Sequence, residues 1–193
     1  MSKQQEAPGE LEQVRAFVNT IDLEEGAEDL TGPDELAAWL VERGLAPAGL
    51  VATTDDLDHA LALREALRAV LLAHNATTGF EEFVHADVVR VLGAAADRSE
   101  MRRGFSKTGS GTLAPEADGV DGALGQLLAI AHRSAADGTW ARLKACRDDT
   151  CQWAFYDHTK NRSGAWCNMA VCGNRAKARA YRERRGAPRG VQG

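Results

Sequence analysis

Apolar residues in the first hundred positions recur every three or four places, the repeat that lines one face of an α-helix. In "ELEQVRAFVNTIDL", Leu11, Val14, Phe17 and Val18 share such a face and predict a first amphipathic helix. "TGPDELAAWLVERGL" predicts a second. Thr31 is read as its cap, Pro33 lies near the first turn, Leu36, Trp39 and Leu40 form the apolar face, and Gly44 ends it. A longer third helix is predicted in "TTDDLDHALALREALRAVLLAHNATTG", capped by Thr54, with Leu57, Ala60, Leu61, Leu67, Val70 and Leu71 as the buried stripe. A fourth fits Glu81 to Ala96.

The pattern then breaks. "MRRGFSKTGSGTLAPEADG" is rich in Gly, Ser and Thr and has no helical period. It reads either as a loop or as a short two-stranded ribbon turning at Gly109–Gly111. A further helix, "VDGALGQLLAIAHRSAADG", leads through "TWARLKA" to the first cysteine. Helical pattern gives way to cysteine spacing between Gly138 and Ala145. The expected fold is therefore mostly α with a minor β-ribbon: a helical domain over residues 1–140, then a small module over 141–193.

Charge sharpens that division. Residues 141–193 hold 12 Lys+Arg against 4 Asp+Glu, a balance of +8, while residues 1–140 carry −13. A basic end on an acidic body points to a polyanion-binding element attached to something else. The start, "MSKQQEAPGE", has no apolar core and predicts no secretory signal. No apolar run approaches the roughly 18 residues that span a bilayer. The expected compartment is a reducing cytoplasm, where clustered cysteines favour metal over disulfides.

All four cysteines fall in the basic end, as Cys146-x4-Cys151-x15-Cys167-x4-Cys172. Two matched pairs suit a tetrahedral four-thiolate site that holds one structural zinc ion, closed to water and so not catalytic. The alternative is four buried, unliganded thiols. Between the pairs the sequence reads as a hairpin: Trp153–Tyr156 outgoing, a polar turn around Thr159–Gly164, and Ala165–Trp166 returning. Trp153, Phe155 and Trp166 are read as the module's small core, with base stacking as the other option. After Cys172 an alanine- and arginine-rich stretch favours a helix. Its N-terminal N–H groups and dipole would stabilise a thiolate, and Gly173 is expected to let the backbone approach the sulfur. Knuckle, hairpin and helix together describe a treble-clef-like module.

Cys172-Gly173-Asn174-Arg175 spells CGNR, and "WCNMAVCGNRAKARAYR" resembles the CGNR zinc-finger family, whose members often carry an N-terminal ABATE-type domain. "FVNTIDL" (Phe17–Leu23) and "ALALREALRAVLLA" (Ala60–Ala73) are similar to that first domain. The resemblance is specific over about residues 146–182 and looser elsewhere. It implies a bacterial stress-induced transcription regulator, DNA rather than RNA as partner, and a place at the nucleoid if DNA is bound.

The residues themselves offer a phosphate-tracking surface. Arg175, Arg179 and Arg182 fall at i, i+4 and i+7 on one helix face; Lys177 lies beside them, and the hairpin turn adds His158, Lys160 and Arg162. Nucleic-acid candidates are therefore Lys160, Arg162, Arg175, Lys177, Arg179 and Arg182. Docking of an acidic protein partner and a merely solvated charge run are the competing readings; in the latter, Asn174 braces the hairpin and Arg175 pairs with Asp157. In the body, Asn19, Thr20, Arg64 and Arg90 are polar residues in apolar helical contexts. Arg64 and Asn19 are the candidates for binding a small-molecule effector, against structural roles as a salt bridge and a helix end. A sensor or homodimerisation role is expected for this domain. No nucleophile elbow, phosphate loop or dinucleotide fingerprint is present, so an enzyme is the least favoured class.

Overall fold

The computed structural model describes residues 6–77 and 83–186. Helix α1 (Leu11–Val18) buries Leu11, Val14, Phe17 and Val18 as their spacing requires. It ends where the predicted stripe ends, with Asn19 as its C-cap, as the helix-end reading of Asn19 expects. Ile21–Asp22 (β1) then pairs antiparallel with Ala27–Glu28 (β2), so "TIDL" turns into a small hairpin instead of extending the helix.

Helix α2 (Pro33–Glu42) begins after Gly32, not Thr31, with Pro33 in its opening positions. Gly44 takes a left-handed φ of +68° just beyond its end, as a helix-stopping glycine should. Helix α3 (Thr54–Ala73) is capped one residue earlier than expected. Thr53 Oγ1 accepts from the Asp56 amide at 3.2 Å, and Asp56 Oδ2 accepts from the Thr53 amide at 2.8 Å. That reciprocal box satisfies two helix-end donors at once. Leu57, Ala60, Leu67, Val70 and Leu71 are buried, and Leu61 is half-buried.

Helix α4 (Ala86–Arg98) starts at Ala86; Glu81, the expected start, lies outside the described residues. The glycine-rich stretch is a ribbon: Arg102–Phe105 (β3) pairs antiparallel with Gly111–Ala114 (β4). Helix α5 (Gly119–Ala136) and a 3-10 turn at Trp140–Arg142 follow. Leu143–Ala145 (β5) then pairs antiparallel with Ala154–Tyr156 (β6), and helix α6 (Asn174–Gly186) closes the described chain. Six α-helices and three two-stranded sheets among the described residues make the fold mostly α, as expected.

Phe17, Leu36, Leu40, Leu63, Leu67, Leu124 and Leu127, all 2% exposed or less, form the centre of the core between α1, α2, α3 and α5. That core does not stop at residue 140. Leu143, Ala145, Ala154 and Tyr156 belong to the same buried cluster, with β5 against α3 and β6 against α1. Cys146, Cys151 and Cys172 form a second small cluster with Trp153, Trp166 and Cys167. No helix among the described residues is long and apolar enough to cross a membrane.

Candidate metal centre and basic helix

Cys146 follows β5 directly and Cys151 lies just before β6, so the first knuckle is the turn of the β5–β6 hairpin. The Cys146 amide donates to Trp153 O at 3.0 Å and extends the ladder. This corrects the predicted hairpin. Trp153–Tyr156 contains one strand, but its partner is Leu143–Ala145 upstream; Ala165–Trp166 forms no strand. Ala165 O instead accepts from the Arg147 amide at 3.2 Å, which brings the second half of the module back beside the first.

The second pair is set by a helical start. Asn168 Oδ1 accepts from the Ala170 and Val171 amides at 2.9 and 3.3 Å, capping a π-helical turn at Met169–Gly173 that runs into α6. Cys172 lies in that turn, and Cys167 precedes its cap. All four Sγ atoms lie within 4.8 Å of one another, with Cys151–Cys167 at 3.5 Å and Cys167–Cys172 at 3.7 Å. Zinc–sulfur bonds of about 2.3 Å give a tetrahedron with edges of about 3.8 Å. These spacings suit that figure and are far too long for disulfides, whose sulfurs sit about 2 Å apart.

Ionisation in the cluster follows from crowding. Cys146 is drawn down to about 2 by the thiols of Cys151 and Cys167 donating to it. Cys151 is pushed up to about 12, first of all by Cys146, and Cys167 is pushed up further by the same neighbour. Four thiolates can share this space only around a cation. The four cysteines fit one structural zinc ion.

Gly173 does not serve as predicted: a Cβ there would meet Met169 Sδ at 2.3 Å, so the room it leaves is taken by Met169, not by a cysteine sulfur. Asn174 does not brace the hairpin either; its Nδ2 donates to Ala170 O at 2.9 Å, within the helical start.

Arg175 pairs with Glu24 and not with Asp157. Its Nη1 and Nη2 donate to the two Glu24 oxygens at 2.8 Å each, and Nη2 also lies 3.4 Å from Cys172 Sγ. Arg175 Nε sits 3.2 Å from Asp148 Oδ2, within ion-pair range though not aligned as a hydrogen bond. Arg179 Nη1 lies 3.5 Å from Asp148 Oδ1. Asp148 is fully buried inside the first knuckle, so these two arginines turn inward, onto the module and the β1–β2 turn. Lys160, Arg162, Lys177 and Arg182 are exposed.

Asp157 has another task. Its Oδ1 accepts from the Thr159 amide and hydroxyl at 2.9 and 2.6 Å, and its Oδ2 from the Gly164 amide and Lys144 Nζ at 2.8 and 2.7 Å. Lys144 also donates to Arg162 O and Gly164 O, so this buried pair shapes the loop that carries Lys160 and Arg162. Burial would raise the Asp157 pKa, but Lys144 and Thr159 prevail and hold it down to about 2. A Cβ on Gly164 would sit 2.8 Å from the Asp157 carboxylate, so only glycine fits there.

The two ligand candidates of the body are both bonded to other parts of the protein. Arg64 Nη1 and Nη2 donate to Glu28 at 2.7 and 2.8 Å, Nη1 also to Thr20 Oγ1 at 3.1 Å, and Nε to Glu65 at 2.9 Å. With each nitrogen engaged, the guanidinium anchors β2 to α3. Asn19 Nδ2 donates to Ala154 O at 2.9 Å, and Asn19 Oδ1 accepts from the Ala154 amide at 2.7 Å. The side-chain amide thus stands in for a neighbouring strand on β6. Arg90 is exposed and, among the described residues, pairs with Asp87 within α4.

Sequence reasoning missed Arg68, Asn75 and Lys144. Arg68 donates to Val18 O at 2.7 Å and Gln152 O at 3.2 Å, closing the end of α1 and reaching the knuckle. Asn75 Nδ2 donates to Ala145 O and Ala165 O at 2.7 and 2.9 Å. Arg68 one turn after Arg64 on the apolar stripe was a readable signal; Asn75 offered none.

Two family models match consecutive segments: one described as "Putative stress-induced transcription regulator" (ABATE) over residues 14–141, and the CGNR zinc finger over residues 142–185. No curated protein matches the chain. The first model alone spans well over half of the residues, and the chain belongs to the ABATE family, with a CGNR zinc finger at its C-terminal end.

Proposed function

We propose that the protein is a zinc-dependent DNA-binding regulator in which the outward side of α6 and the 158–163 loop track DNA phosphates. The observation that carries this reading is the division of labour along α6. Arg175 and Arg179 are committed to Glu24 and Asp148, whereas Lys177 and Arg184, half a turn away, are exposed. The contact set is therefore Lys160, Arg162, Lys177 and Arg184, with Arg182, exposed but on the Arg175 face, at its edge. Zinc, when bound, supplies a fixed node that ties the knuckle to the start of α6. Arg175 and Arg179 hold the helix in register, and the outward cations neutralise phosphates. The body senses a stress signal or effector, or pairs two copies, in the cytoplasm. The mechanism is binding, with no catalytic step.

A second reading draws on the same helix. Two of its arginines already grip carboxylates, which is how an acidic protein partner would be held. Titrating zinc-loaded protein onto random-sequence duplex DNA at several salt concentrations separates the two. Binding that weakens steeply with salt and is lost in Lys177→Ala/Arg184→Ala supports DNA contact. No binding at low salt, with zinc confirmed by metal analysis, would sink it and favour protein docking.

A further inference from the structure

We propose that the β3–β4 ribbon is a second contact for duplex DNA, with Arg103 and Lys107 on phosphates and Phe105 against the bases. This rests on the DNA-binding reading above, but on different residues. Positions 101–114 carry Arg102, Arg103 and Lys107 and no acid, inside a body that is otherwise strongly acidic. Arg102 is committed to Glu116, with contacts of 2.8 and 3.0 Å that fix the base of the ribbon. The side chains of Arg103 and Lys107 have no hydrogen bond or ion pair among the described residues.

Phe105 is 83% exposed. Strand alternation places Arg103 and Phe105 on one face. Directly across from Phe105 stands Gly111, which has no side chain to cover the ring. An apolar ring flanked by free cations is costly to leave in water and suits a polyanion with stacked bases. The tip is ordered: Ser106 Oγ lies 2.8 Å from Thr108 Oγ1 and accepts from the Ser110 amide at 3.1 Å, while the Ser106 amide donates to Ser110 O at 2.8 Å. It therefore presents hydroxyl donors in a fixed arrangement. A two-stranded ribbon fits the DNA major groove, where a phenylalanine ring can pack on a thymine methyl at the base edges. Pairing with a second copy along the same ribbon would bring the unpaired cations together, and like charges oppose that.

The test uses full-length, zinc-loaded protein and a fluorescent random 30-base-pair duplex over a potassium chloride series. Phe105→Ala should weaken binding about tenfold, the scale of one lost base-edge contact. Arg103→Ala/Lys107→Ala should lower the slope of log affinity against log salt by about 2, one unit per phosphate contact. Since all three side chains are exposed, melting temperatures should match wild type. Unchanged affinity and slope in both variants, alongside loss in Lys177→Ala/Arg184→Ala, overturns the ribbon contact and leaves the α6 reading standing. Conversion of a dimer to a monomer in Phe105→Ala, with DNA affinity unchanged, overturns it in favour of self-association. No wild-type binding at low salt overturns both readings.

Discussion

The two halves of the zinc module are held in unlike ways. The first, β5 and β6 with the Cys146–Cys151 knuckle, is part of the body: its apolar side chains sit in the main core, and Asn19, Arg68 and Asn75 bind its backbone. The second, from Cys167 through α6, is tied to the rest by the Arg175 and Arg179 ion pairs and the two cysteines, among other contacts. Hydrophobic burial fixes one half; charge and metal fix the other. Loss of the metal or of the Arg175 and Arg179 ion pairs therefore acts on the helix and leaves the hairpin in place.

Metal removal should expose this difference most strongly. On chelation, amide hydrogen exchange should rise to unprotected rates across α6, while the amides of Cys146 and Ala154 stay protected. Equal loss in both halves would show that the hairpin also depends on zinc. Next in size is Asn19→Ala, which strands the amide and carbonyl of Ala154 in a buried site. A loss of about 3 kcal/mol in denaturant unfolding is expected, and α6 should be unaffected.

Asp157 gives a smaller and pH-dependent effect. Its pKa is depressed in the folded state, so its contribution is complete above the unfolded value near 4 and is lost as pH falls through about 2. At neutral pH this is worth about 2 kcal/mol. Asp157→Asn should remove the part of the acid-unfolding slope between about pH 4 and 2; an identical acid profile would argue that Lys144 holds the loop alone. Smallest is Glu24→Gln. The Arg175–Glu24 pair is partly exposed, at 33% and 45%, so stability should drop by no more than about 1 kcal/mol. Exchange should quicken at the start of α6 and not in β5.

What the sequence made legible follows the same divide. The zinc ligands stood out because cysteine is rare here and the spacing is local. Helix faces were readable from period alone, yet caps slipped: Thr53 is followed three residues later by Asp56, a box signature that Thr54 lacks. The hairpin was assigned the wrong second strand because Leu143–Ala145 is only three residues long and lies on the far side of the knuckle. The partners of Arg175 and Ala154 are more than a hundred residues away in the chain, and no local pattern points to Glu24 or Asn19. Charge runs showed that α6 is basic but not which cations face inward.

The Arg175 guanidinium near Cys172 Sγ has a consequence for the chemistry of the sulfurs. A donor aimed at a thiolate withdraws electron density and blunts its attack on electrophiles. Cys146, Cys151 and Cys172 are also buried, whereas Cys167 is partly open to solvent. An alkylating reagent should thus meet the four sulfurs in sequence, Cys167 first and Cys172 late, so the metal node would come apart from its exposed corner.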